Sequence, residues 1–273
     1  TAGSVTLVLQ SLLIPALFAD KPLTIRLKGG TNVAWSPPIE YIQHVLLPYL
    51  RSCCESISMT VERRGYYPKG GGACTVRIVP KYSRSTYSSW NEFRKELHAK
   101  KLCVFDTPGI LQAVSGIVHA SRSLESRKVA ERIRERALHV LRHLSMPPAI
   151  VLEYADTFSD GCGITLWARY GHKEDVLSPI TLGADALGER DVSAEQVSDL
   201  AAKRLLSLMK TGASVDEHAT DMLVPFLGVC TPGIIRTNLV TSHTKTNIYT
   251  TEFFCGNVFH VNGIVITSTQ RPH

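Results

Sequence analysis

The chain has 273 residues, 44% of them hydrophobic, with a formal net charge of +6 and a mean hydropathy of +0.02. That balance fits a soluble globular protein of one large or two smaller domains and excludes a disordered polyelectrolyte. An isoelectric point near 8.9 favours a polyanionic partner but falls short of a histone-like charge excess.

Thr1 leads within four residues into the apolar run Val5 to Phe18. Gln10, Ser11 and Pro15 interrupt the run, which is too short to cross a bilayer and has no basic n-region or cleavage pattern. A buried helix is predicted, with no membrane partner and no secretion signal. An amide at Gln10 on such a helix needs a partner, from backbone or from a ligand. Leu23, Ile25 and Leu27 then alternate with polar residues as in a half-buried strand. Gly29-Gly30-Thr31 ends it. Pro37 and Pro38 open a helix carrying Ile39, Ile42, Val45, Leu46, Tyr49 and Leu50 at helical spacing, and a helix start beside a Gly-Gly loop suits an anion.

The stretch Arg63-Arg64-Gly65-Tyr66-Tyr67-Pro68-Lys69-Gly70-Gly71-Gly72 lies between the strand-like runs Ile57 to Glu62 and Cys74 to Val79. Consecutive glycines mark tight turning or close approach of the backbone, as a hairpin also requires. Arg63, Arg64 and Lys69 place cations beside backbone N–H groups, a combination suited to phosphate, and Tyr66 and Tyr67 offer rings for stacking on a base. This part therefore reads helix-strand-helix-strand-strand.

Pro80 to Lys101 is polar and serine-rich and reads as a solvated loop with a short helix. Cys103 to Ala120 holds one or two strands. Leu124 to Leu144 reads as one amphipathic helix with Arg122, Arg127, Arg132, Arg134, Arg136 and Arg142 off its apolar face. Ala149 to Tyr154 and Cys162 to Tyr170 read as strands, and Ser193 to Met209 as a helix capped by Ser193. Lys210-Thr211-Gly212 is a return linker. Asp216-Glu217-His218-Ala219-Thr220-Asp221-Met222 opens an apolar helix to Leu227, its acidic start being ordinary dipole complementation or the edge of a site. Val240 to Asn247 ends a strand and begins a helix, with His243 at the junction.

Seven cysteines, Cys53, Cys54, Cys74, Cys103, Cys162, Cys230 and Cys255, are an odd number without C-x-x-C spacing. They predict reduced thiols in cytoplasm or nucleus and no zinc finger or ribbon. Neither glycine loop fits a P-loop.

Four segments in order, Ala2-Gly3-Ser4 to Gln10, Gly29 to Pro38, Arg64 to Gly72 and Val240 to Asn247, resemble the RNA 3'-terminal phosphate cyclase family. The resemblance implies an α/β (α+β) fold of repeated βαβαββ units with a small inserted α/β domain. Residues 1–112 and 211–273 would form the main domain, lacking its first repeat and the arginines and glutamate it carries toward ATP, and 113–210 the insert. It implies ATP-dependent closure of an RNA 3'-phosphate to a 2',3'-cyclic phosphodiester, with His243 as the nucleophile that takes up AMP. It implies an ATP pocket of Gln10, Pro37, His218, Asp221 and Met222, where His218 and Met222 replace the family's Tyr and Gln. Arg64, Lys69, Gly70, Gly71 and Gly72 would meet RNA or phosphate, and Mg2+ or Mn2+ would ride on the nucleotide without a dedicated protein cage. A non-catalytic relative in ribosomal RNA processing and an inactive fragment with an uncovered apolar helix face are the alternatives.

Overall fold

Ser4 starts the first helix, α1 (Val5–Leu17), by accepting the Leu7 N–H on its hydroxyl. In this computed structural model, which describes residues 1–171 and 180–270, α1 buries Val5, Leu9, Leu13, Ala16 and Leu17 at three- and four-residue spacing. Its outer side leaves Leu7, Val8 and Leu12 between 37% and 50% exposed. No helix among the described residues is long and apolar enough to cross a membrane.

β1 (Leu23–Gly29) follows, then a continuous helical rod of α2 (Ile39–Tyr41), a π turn (Ile42–Leu46) and α3 (Leu47–Leu50). β2 (Cys54–Arg63) and β3 (Gly72–Pro80) complete an antiparallel sheet of order β1-β3-β2, with Ile25 and Met59 both opposite Val76. After α4 (Trp90–Lys100) comes the three-residue β4 (Cys103–Phe105). β4 does not pair with its sequence neighbour. Its parallel partner is the distant β9 (Gly233–Arg236), which lies between α7 (Glu217–Val229) and α8 (Ser242–Cys255) and is followed by β10 (Asn257–Asn262) and β11 (Val265–Gln270).

The resulting sheet has the order β10-β11-β9-β4. Its chain order, β4-α7-β9-α8-β10-β11, is a βαβαββ unit, and β10-β11-β9 repeats the order β2-β3-β1. Among the described residues the first sheet thus has the same arrangement without a strand equivalent to β4.

Between β4 and α7 the chain builds a separate sheet, β6-β5-β7-β8, from β5 (Ile110–Ser121), β6 (Ala149–Ala155), β7 (Cys162–Gly171) and β8 (Ile180–Leu187). α5 (Val129–Leu141) and α6 (Ala194–Met209) pack on each other and on this sheet. Bidentate pairs Arg132–Glu195 and Arg136–Asp199 tie the two helices, so two of the predicted surface arginines are engaged between them. β8 is also in contact with the rod of α2 and α3, where Tyr49 donates to the Thr181 carbonyl at 2.8 Å and a Cβ on Gly183 would lie 2.5 Å from Val45.

One expected span needs correction, and two observations add to the reading. The helix predicted over Leu124 to Leu144 begins only at Val129, because Lys128 takes a left-handed φ of 50° and parts it from a 3-10 turn at Arg122–Arg127. The boundary between residues 112 and 113 falls inside β5. β8 escaped the sequence reading altogether. All seven cysteines are unpaired, and Cys53, Cys103 and Cys230 are buried together in the core.

Candidate functional site

The two glycine loops lie back to back. Thr31 donates its N–H to the Gly65 carbonyl at 2.9 Å, and the Gly65 N–H returns to the Thr31 hydroxyl at 3.0 Å. A Cβ on Gly65 would stand 2.3 Å from the Gly72 nitrogen, and one on Gly70, whose φ is +66°, would stand 1.9 Å from the Thr1 carbonyl oxygen. Close approach of three backbone segments is what demands glycine here.

That packing corrects the reading of Arg64. It is 3% exposed, with Nε and Nη2 donating to Glu153 at 3.0 and 2.8 Å and Nη1 paired with the buried Glu40. Its whole fork is spent on carboxylates, so it presents no charge to a phosphate in solvent. Tyr66 is equally buried, its hydroxyl 2.7 Å from Nδ1 of His119. Gly70 and Gly72 are buried and Gly71 half-buried. Of the three cations expected to meet phosphate, Arg63 and Lys69 are exposed, Arg63 lying 4.9 Å over the Phe158 ring and the Lys69 N–H fixed by the Ser159 hydroxyl at 3.0 Å.

Behind the loops lies a polar core that sequence reading missed. Asn32 donates through Nδ2 to Glu40 at 2.7 Å and lies 3.2 Å from Nε2 of the fully buried His119. With Asn32 as donor, Nε2 accepts and Nδ1 carries the proton toward Tyr66. Burial, reinforced by the Arg64 charge, pushes the His119 imidazole down to about 4. Burial would raise Glu40, but the Arg64 charge outweighs it and holds that carboxyl below its ordinary range. The alternation of β5 puts His119 on the face opposite Val114 and Val118, so nothing local announced its burial or its partners.

The second cluster joins α1, α7 and α8. The Gln10 amide on α1 meets the Met222 sulfur on α7. Four residues earlier on α1, the Thr6 hydroxyl donates to the Pro37 carbonyl at 2.8 Å, tying the loop before α2 to the same helix. α7 is capped by the buried Asp216, which accepts from the His218 and Ala219 N–H groups. The exposed His218 lies one turn before Met222 on this helix, its ring against Arg204, which also binds Glu217 at 2.6 Å.

Asp221 organises the start of α8. One of its oxygens accepts from Thr241 at 2.9 Å and also from Thr244, and its carbonyl accepts from Asn247 at 2.7 Å. Thr241 and Thr244 form a reciprocal capping box. His243, second residue of the helix, is exposed, as is Lys245. An imidazole at the positive end of a fixed helix is well placed to meet phosphate oxygens and to offer a nitrogen to phosphorus. Among the described residues no group of three or more His, Cys, Asp or Glu side chains is arranged to hold a metal ion.

Gln10, Met222 and Asp221 are thus brought together and linked to His243, with Pro37 joined through Thr6. Arg64 stands apart in the polar core. A family model described as RNA 3'-terminal phosphate cyclase matches residues 1–261. The chain is 38% identical over 263 residues to the RNA 3'-terminal phosphate cyclase of Pyrococcus furiosus, covering 96% of this chain and 69% of that protein. It is 39% identical over 265 residues to that of Pyrococcus abyssi, covering 97% and 70%, and 34% identical over 261 residues to that of Methanosarcina barkeri, covering 96% and 69%. These relatives are archaeal and give the expected nuclear location no support.

Proposed function

Because the chain belongs to the RNA 3'-terminal phosphate cyclase family, we propose that it closes an RNA 3'-terminal phosphate to a 2',3'-cyclic phosphodiester at the expense of ATP. The observation that carries this reading is the exposed His243 at the start of α8, with the helix cap anchored by Asp221. A neutral ring nitrogen of His243 attacks the α-phosphorus, the N–P bond forms, and the bond to pyrophosphate breaks. AMP then passes from the imidazole to an oxygen of the RNA 3'-phosphate. Finally the neighbouring 2'-hydroxyl attacks that phosphorus, losing its proton and releasing AMP.

Gln10, Pro37, His218, Asp221 and Met222 surround the nucleotide in this scheme. Met222 and His218 are the weak members, since a thioether is a poor acceptor and the His218 ring already faces Arg204. Mg2+ or Mn2+, carried on the triphosphate, would neutralise charge on the departing pyrophosphate. Attachment to substrate oxygens would need no dedicated protein cage. We also read residues 1–112 and 211–273 as the main body and 113–210 as an insert, with its first edge moved toward the loop between β4 and β5.

The test is incubation of the chain, and of His243→Ala, with ATP labelled at the α-phosphate and Mg2+. Acid-labile, base-stable label on the parent alone is the expected result. A folded parent that takes no label but binds RNA would favour the non-catalytic reading.

A further inference from the structure

Trp35 lies in the loop between the Gly29-Gly30 turn and α2, and its side chain is fully exposed, at 101% of the reference area. Its φ of 63° puts a bulky residue in the left-handed region, where asparagine or glycine is usual. Both features are unfavourable for folding alone, since the indole buries nothing and the backbone is strained. The loop is nevertheless held on either side. Ser36 donates to the Val33 carbonyl at 3.0 Å, Thr6 to the Pro37 carbonyl at 2.8 Å, and the Ile39 N–H to the Thr31 carbonyl at 3.0 Å.

The loop reaches the proposed reaction site through that same Thr6, one turn from Gln10 on α1. Its other neighbour, the loop following Gly65, exposes Tyr67 at 75% and the cation of Lys69. Exposed rings and cations side by side are the means by which proteins hold single-stranded nucleic acid. We propose that Trp35 is a stacking platform for a base of the RNA strand whose 3'-phosphate is being activated. This rests on the cyclase reading and adds the residue that grips the second substrate. Pro37, half-buried on the α1 side of the loop, belongs to the nucleotide side, whereas the Trp35 ring is turned wholly to solvent.

The experiment replaces Trp90 and Trp167 by Phe, leaving Trp35 as the one indole of the three, and titrates its fluorescence with a single-stranded oligoribonucleotide 3'-phosphate and, separately, with ATP. RNA affinity is measured in parallel for the otherwise unaltered chain, Trp35→Asn and Trp35→Tyr by anisotropy of labelled RNA. Asparagine tolerates the left-handed backbone, and exposure of the ring leaves no core cavity. The expected results are quenching by RNA and not by ATP, an RNA Kd raised roughly five- to a hundredfold in Trp35→Asn, and recovery in Trp35→Tyr. An unchanged Kd in Trp35→Asn, or quenching by ATP alone, overturns the proposal while labelling of His243 leaves the cyclase reading standing. A folded parent that neither binds RNA nor takes label overturns both.

Discussion

The hydroxyl of Thr241, which caps α8, donates to the carboxylate of Asp221 on α7 at 2.9 Å. The same carboxylate oxygen also accepts from Thr244, so an acid on one helix fixes the first turn of the next. His243 lies between those two threonines. Its position in space is therefore set from outside its own helix.

Asp221→Ala removes the shared acceptor of both threonines. Labelling of His243 from ATP is expected to fall at least tenfold, with about 1–2 kcal/mol of stability lost as the hydroxyls go unpaired. Thr241→Ala, which keeps Asp221, should lose a similar stability but less labelling. Labelling kinetics with urea unfolding of each variant separate the two effects. Full labelling in Asp221→Ala would show that the anchor is irrelevant to the chemistry.

Arg64 and Lys69 should respond in opposite ways. Arg64→Met leaves Glu40 buried without its guanidinium and should cost about 3–5 kcal/mol, the usual result of removing one partner of a buried pair. Lysine at this position lacks the fork that serves Glu40 and Glu153 together, so Arg64→Lys should rescue little. Lys69→Ala touches an exposed side chain and should hold stability within about 0.5 kcal/mol while weakening RNA binding in a salt-dependent manner. Denaturant curves and RNA titrations at two salt concentrations decide it. A fully stable Arg64→Met with weakened RNA binding would return Arg64 to the surface role.

What could be read from the residues alone was local. Leu23, Ile25 and Leu27 announce β1, and Ser193 and Asp216 announce their helices, because a strand period or a cap is written within a few positions. The fate of Arg64 was not legible, since its partners Glu40 and Glu153 are 24 and 89 residues away. β8 was missed for a related reason. Gly183, Ala184 and Ala186 have weak strand preference, and their extended form is imposed by Tyr41 and Val45 on one side and α6 on the other. At the site, Gln10 and Met222 meet across 212 residues, a contact that no helical period on either segment predicts.

His119 supplies a pH dependence of definite sign. Its imidazole lies at about 4 in the fold, against an ordinary 6.5, so between these values the unfolded chain binds more protons. The stability it contributes is complete above pH 6.5 and is lost as pH falls toward 4, on the order of 3 kcal/mol in all. Burial lifts Asp185 to about 6, which acts in the opposite sense as its carboxyl takes up a proton in the fold. Glu40, held low, adds a further loss in more acid solution. Comparing the parent with His119→Gln cancels the Asp185 contribution to first order. The parent should lose stability relative to the variant between pH 6.5 and 4.5, measured by urea unfolding at each pH. Parallel curves for the two proteins would refute a neutral buried imidazole.

Met222 offers the Gln10 amide a sulfur, the weakest acceptor among the polar side-chain atoms. Glutamine is of similar length and adds a carbonyl oxygen that can accept from Gln10 and an amide that can reach a nucleotide. Met222→Gln is therefore expected to tighten ATP binding about 2- to 10-fold, the range for one additional net hydrogen bond. Calorimetric titration with ATP provides the measurement. Repeating it with Gln10→Ala in both backgrounds closes a double-mutant cycle. If the gain comes through Gln10, its removal will weaken ATP binding more in the Met222→Gln background than in the parent. Equal losses in the two would mean that residue 222 acts on the nucleotide without Gln10, and the contact between α1 and α7 would then be packing alone.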